Sequence, residues 1–113
     1  MEAPNLDELN HRVTCAILVA EGLPAGSPEA RRAFRQVSLL EEHIARLTRP
    51  SELRGEIARL GAVSASLSAG DPLRAEHLAR AYLTAGGLAA DIVSKLKAML
   101  SEGLAERYEA GED

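Results

Sequence analysis

Proline and glycine residues divide this sequence into five segments, and each segment repeats its apolar residues at helical spacing. Two segments begin with a capping residue followed by proline, at Ser27-Pro28 and Asp71-Pro72. This pair is a typical helix start, because proline lacks the N–H that would stay unpaired in the first turn. Since no segment alternates apolar and polar residues over the length of a strand, the sequence predicts an all-α fold.

Short connections between the segments favour antiparallel neighbours, so we expect an up-down antiparallel bundle of four to five helices. The helices are predicted over residues 6–21, 28–48, 51–69, 72–85 and 88–108, with Ser51 as the cap of the third. Gly86-Gly87 either separates the last two helices or bends one longer helix. A chain of 113 residues has room for one domain, predicted over 1–108, followed by an acidic tail over 109–113.

Composition and charge exclude several classes of protein. The longest apolar run, residues 16–20, is too short to cross a bilayer, and the acidic N-terminus does not resemble a secretory signal. With a single cysteine, Cys15, the chain is expected in a reducing cytoplasm. Acidic and basic residues balance before the C-terminal segment, where the net charge of −4 resides. A neutral body argues against binding to a nucleic-acid backbone.

The first helix is predicted to be apolar on nearly every side over residues 13–20, VTCAILVA. Such a helix is either central in the fold or buried between protein copies. We therefore expect a non-catalytic interaction or adaptor protein that associates with itself as a homodimer. The predicted contact residues are Val13, Ile17, Leu18 and Val19, with Leu96, Met99 and Leu100 second.

A second predicted contact surface is a basic patch at the start of the second helix, formed by Arg31, Arg32 and Arg35. Guanidinium groups bind carboxylates in bidentate pairs, so an acidic helix of a partner, or the acidic tail of another copy, would suit the patch. The richness in arginine, alanine and leucine is also typical of GC-rich, bacterial-like coding.

The sequence offers few side chains that could bind a metal ion or a cofactor. His11 and Cys15 are four residues apart and share a helix face, so the pair can hold one metal together, but a zinc site needs three or four ligands. Cys15 lies in the most apolar stretch and is predicted to be a small core residue. One phenylalanine and two tyrosines do not make a pocket for a flat cofactor. We predict no metal, no cofactor, no small-molecule substrate and no catalytic residues.

Two short motifs give alternative functions. Residues 56–69, EIARLGAVSASLSA, resemble the helix-turn-helix of bacterial repressors, although Gly61 and Ala62 stand in swapped order and no base-reading side chain follows. This resemblance implies binding to DNA through a turn at that pair.

The second motif is His77-Leu78-Ala79-Arg80-Ala81, with Gly87 six residues later. It resembles the H-x-x-K-G motif of histidine phosphotransfer domains, which are four-helix bundles of similar size. Arg80 stands where that family has lysine, and Ala81 stands where it has glycine. The resemblance implies a phosphoacceptor at His77, with Arg80 stabilising the added negative charge.

Overall fold

A computed structural model describes residues 5–109 of the chain, and within that range it is an all-α bundle. Its helices are α1 (Leu6–Glu21), α2 (Pro28–Leu47), α3 (Leu53–Ser68), α4 (Pro72–Ala85) and α5 (Ala90–Glu109). The predicted architecture is confirmed, and the predicted bounds agree to within two residues at each helix end. Of the predicted acidic tail, only Glu109 is described, as the last residue of α5, and residues 110–113 lie outside the described range.

Local capping explains why the helices begin where they do. The Asn5 side chain accepts a hydrogen bond from the Glu8 backbone N–H, and Ser27 and Asp71 cap α2 and α4 in the same way. The predicted cap of the third helix was wrong: α3 begins at Leu53, after Glu52 rather than Ser51. The Glu52 carboxylate instead accepts a bond from the backbone N–H of Arg49 at 2.7 Å, so it closes the preceding turn.

Gly86 and Gly87 end α4 completely. Both have positive φ, 76° and 79°, a backbone conformation that residues with a Cβ rarely adopt. The chain therefore leaves the helix at this point and resumes only at Ala90, so α4 and α5 are separate helices.

Helix α3 is the centre of the bundle. It packs against α2, α4 and α5, whereas α1 has backbone contacts with α2 alone among the described helices. Alanines on the inner face of α3, including Ala58, Ala62 and Ala65, are buried, and their small side chains allow neighbouring helices to approach closely. Helix α1 thus lies at the edge of the bundle, which rules out the central position that the sequence left open for it.

Polar side chains connect α1 with α2 and α3. The Arg54 guanidinium of α3 donates to Asn10 of α1 at 2.7 Å and to Glu41 of α2 at 3.0 Å. Glu41 is buried, and burial raises the pKa of its carboxyl group above the usual value, although the hydrogen bond and charge of Arg54 act in the opposite direction. Within residues 5–109, none of the helices combines the length and the apolar character needed to cross a bilayer.

Candidate functional site

The outer face of α1, which we define as His11, Cys15, Leu18 and Val19, is the main apolar surface that this helix leaves uncovered. Leu18 is 67% exposed and Val19 is 61% exposed. The opposite side of the helix carries Leu9, Val13 and Ala20, which are buried against the rest of the bundle. Single exposed aliphatic side chains are common, but here Leu18 and Val19 are neighbours, and they lie on either side of His11 and Cys15 on the side of the helix away from the core.

Cys15 lies at the middle of this face and is exposed. The prediction that it is a core residue was wrong, because the helix turns its Leu9-Val13-Ala20 side inward and Cys15 outward. One turn earlier, His11 is exposed as well, and its Nε2 atom lies 3.8 Å from the Cys15 Sγ atom. A thiol and an imidazole are therefore adjacent on open surface.

The other predicted contact residues do not share this exposure. Val13 and Leu96 are buried within the single chain, so neither offers a surface to a partner. Ile17, Met99 and Leu100 are half-buried, and they pack against the two clusters of the chain's own core. Of the seven residues predicted as an interface, Leu18 and Val19 remain as exposed apolar side chains.

A groove of about 520 Å³ lies between α2 and α4. The residues that line it are Arg35, Leu39, Glu42, Asp71, Leu73, Arg74, His77 and Leu78. Since α2 and α4 have no backbone contact with each other, side chains bridge the space between them. Arg74 donates to the buried Ser38 hydroxyl at 3.0 Å and to the Glu42 carboxylate at 2.6 Å.

The charges of this groove are largely compensated from within the chain. Arg35 forms an ion pair with Asp71 at 2.9 Å, and Glu42 accepts from both Arg74 and Arg46. Paired charges leave less attraction for a ligand ion than free ones do. All three arginines of the predicted basic patch, Arg31, Arg32 and Arg35, are exposed, and Arg35 also pairs with Asp71 at the rim of the groove.

His77 is exposed at the edge of the same groove. Arg80, one turn further along α4, is exposed and lies 3.3 Å from Glu76. Glu76 also accepts a bond from Arg107 of α5. Partial burial alone would raise the pKa of the Glu76 carboxyl, but the hydrogen bonds and charges of Arg107 and Arg80 outweigh it and hold the pKa below the ordinary value.

The predicted helix-turn-helix is not present. Residues 56–68 lie within the single continuous helix α3, with no turn at Gly61-Ala62. Ala65 and Ser66, which would have to reach the bases, are buried in the core. The helix-turn-helix interpretation of this segment was therefore wrong, because an unbroken amphipathic helix produces the same sequence pattern.

The exposed thiol was missed although a signal for it was available. The apolar residues that predict α1 recur at spacings of three and four from Leu6 to Ala20 and form a stripe along one side of the helix. Cys15, Leu18 and Val19 do not belong to this stripe. A helix that packs against one neighbour buries only its apolar stripe, so the pattern predicts that these three residues are exposed. Over residues 5–109, no group of three or more His, Cys, Asp or Glu side chains gathers in a metal-binding arrangement.

Comparison with known proteins gives no match to a protein family, a curated protein or a solved structure. Over residues 5–109 the structure is a small helical bundle that exposes apolar side chains on α1, among other places, and has a charge-compensated groove between α2 and α4.

Proposed function

We propose that this chain is a non-catalytic interaction module that associates with itself through the outer face of α1. The observation that carries the proposal is the exposure of Leu18 and Val19 on a helix that lies at the edge of the bundle. Covering these side chains in a contact between copies would remove apolar surface from water that the single chain leaves exposed.

A second copy suits this surface because a twofold contact brings the same patch from both sides. The centre of the face carries Cys15, a small side chain that permits close approach of two helices, and the larger Leu18 and Val19 flank it. The nearest oppositely charged neighbours, Glu8 and Arg12, lie 3.9 Å apart and partly neutralise each other. Two copies therefore meet with little uncompensated charge from this pair.

The test compares two leucines with similar settings. Leu18→Lys places a charge in the proposed contact, and Leu47→Lys places one on a leucine that is 51% exposed in the last turn of α2. Lysine is a good helix former and is favoured near helix C-termini, so both variants are expected to fold. Sedimentation equilibrium should show a dimer for the native chain and for Leu47→Lys, and a monomer for Leu18→Lys. An unchanged association constant in Leu18→Lys would contradict the proposed surface.

Histidine phosphotransfer is a second candidate function, favoured by the exposure of His77 at the edge of the groove between α2 and α4. The expected product is an acid-labile phosphohistidine. Incubation with phosphoramidate, followed by mapping of the phosphate by mass spectrometry, should modify His77 faster than the exposed His11. Equal rates at the two histidines would show ordinary chemical reactivity and would exclude this function.

A further inference from the structure

The His11-Cys15 pair has the spacing of two ligands on one metal ion. Zinc binds cysteine sulfur at about 2.3 Å and histidine nitrogen at about 2.0 Å, so a tetrahedral angle between them separates the two atoms by about 3.5 Å. The observed distance between Cys15 Sγ and His11 Nε2 is 3.8 Å. Both ligands can therefore reach one zinc ion without a change in the helix backbone.

One chain supplies only half of such a site. A structural zinc ion takes four ligands, and residues 5–109 bring no third or fourth donor to this pair. Glu8, the nearest carboxylate in sequence, lies beside Arg12. Because the pair is at the centre of the outer face of α1, a second copy packed on that face supplies the same two ligands from the opposite side.

We propose that two copies of this chain bind one zinc ion between them, through His11 and Cys15 of each. This inference rests on the proposed self-association through α1, and it adds the ligand that stabilises the contact. The site has the ligand set His₂Cys₂. Each Cys15 thiol releases its proton to solvent as its sulfur binds the metal, and each His11 binds as neutral imidazole through Nε2. Zinc binding and dimerisation then strengthen each other, because the complete site exists only in the dimer.

The experiment measures association and metal content of the full chain, first in a chelator with a thiol-free reductant and then with added zinc. We expect one zinc ion per two chains and a dimerisation constant that tightens by about tenfold or more. Cobalt(II) in place of zinc gives an independent readout, since a cobalt–thiolate bond produces a charge-transfer absorption band that an aqueous ion lacks.

Three variants make the result specific. Cys15→Ser and His11→Ala should lose the cobalt band and the effect of zinc, and circular dichroism should show that both remain folded, since both positions are exposed. His77→Ala removes an equally exposed histidine from α4 and should keep the full response.

The outcomes separate the two proposals. A chain that is dimeric in chelator but binds no zinc, or whose dimerisation zinc leaves unchanged, overturns the metal site and leaves self-association intact. A chain that is monomeric in chelator and dimeric with half an equivalent of zinc supports the metal site and makes it the main source of association. A chain that stays monomeric in both conditions overturns both proposals.

Discussion

Arg74 should contribute more to stability than its neighbour Arg46, although both guanidinium groups bind the same carboxylate. The Arg74 side chain is 24% exposed and bonds to Glu42 at 2.6 Å and to the buried Ser38 hydroxyl at 3.0 Å. The Arg46 side chain is 63% exposed and bonds to Glu42 alone, at 3.1 Å. Methionine in place of arginine keeps most of the apolar stem in both cases.

The expected magnitudes follow from this difference in burial. A hydrogen bond to a charged group contributes about 1.5–3 kcal/mol when it is shielded from water, and exposed ion pairs contribute about 0–1 kcal/mol. Arg74→Met removes two shielded bonds and the bridge between α2 and α4, so we expect a loss of about 2 kcal/mol in the free energy of unfolding. Arg46→Met removes one exposed pair, and we expect a loss below about 0.5 kcal/mol.

Urea denaturation followed by circular dichroism measures both losses. Each substitution is made in the Leu18→Lys background, which keeps unfolding independent of protein concentration if the dimer is split. Equal midpoints for Arg74→Met and Arg46→Met would refute the reasoning, because the buried bridge would then contribute no more than a surface pair. A changed slope against urea would instead indicate a change in the surface exposed on unfolding.

Three further predictions concern stability. Tyr82→Phe removes a buried hydroxyl that has no hydrogen-bond partner among residues 5–109 and whose pKa is raised to about 12 by burial. Thermal unfolding of this variant should show a stability equal to that of the native chain or higher by up to about 1 kcal/mol. A clear loss of stability would reveal a missed hydrogen-bond partner. Gly55→Ala places a Cβ atom in steric overlap with the Arg49 carbonyl oxygen. Urea unfolding should therefore show a loss of about 2 kcal/mol despite the better helix propensity of alanine, and a stabilised variant would contradict this close approach. Since the Glu76 pKa is lowered in the folded state, the stabilisation by its ionised form is present above the unfolded pKa and is lost as pH falls below about 4.5. The melting temperature of Glu76→Gln should therefore lie below that of the native chain at pH 7 and approach it at pH 3, and a constant difference would contradict the assignment.

The helices could be predicted from the sequence because their starts and ends depend on local residues. Ser27 and Asp71 cap through atoms three residues away, and Gly86 ends α4 through its own backbone conformation. The prediction from Ser51 was wrong because the Glu52 carboxylate accepts a hydrogen bond from the Arg49 backbone N–H and closes the turn before α3. All of these interactions act within a few residues, which is the range that a sequence pattern describes well.

The surfaces depended on packing between helices and could be predicted only in part. Of the apolar stretch 13–20, Leu18 and Val19 are exposed, whereas Val13 is buried, because composition alone does not assign a residue to one side of a helix. The groove beside His77 requires α2 and α4 to stand apart on α3, and no local pattern specifies that distance. Contacts such as that of Arg74 with Ser38, which join residues 36 positions apart, are likewise not specified by any local pattern.

The mass of the native chain in solution tests the central claim most directly. Light scattering after size exclusion, at a low and a high protein concentration in reducing buffer with a chelator, measures association without metal or disulfide bonds. Self-association through the outer face of α1 predicts a mass that approaches twice the 12.0 kDa of one chain at the higher concentration. A mass of 12.0 kDa at both concentrations, in chelator and again when zinc replaces the chelator, would contradict the claim, and the exposed Leu18 and Val19 would then be ordinary surface residues of a monomer.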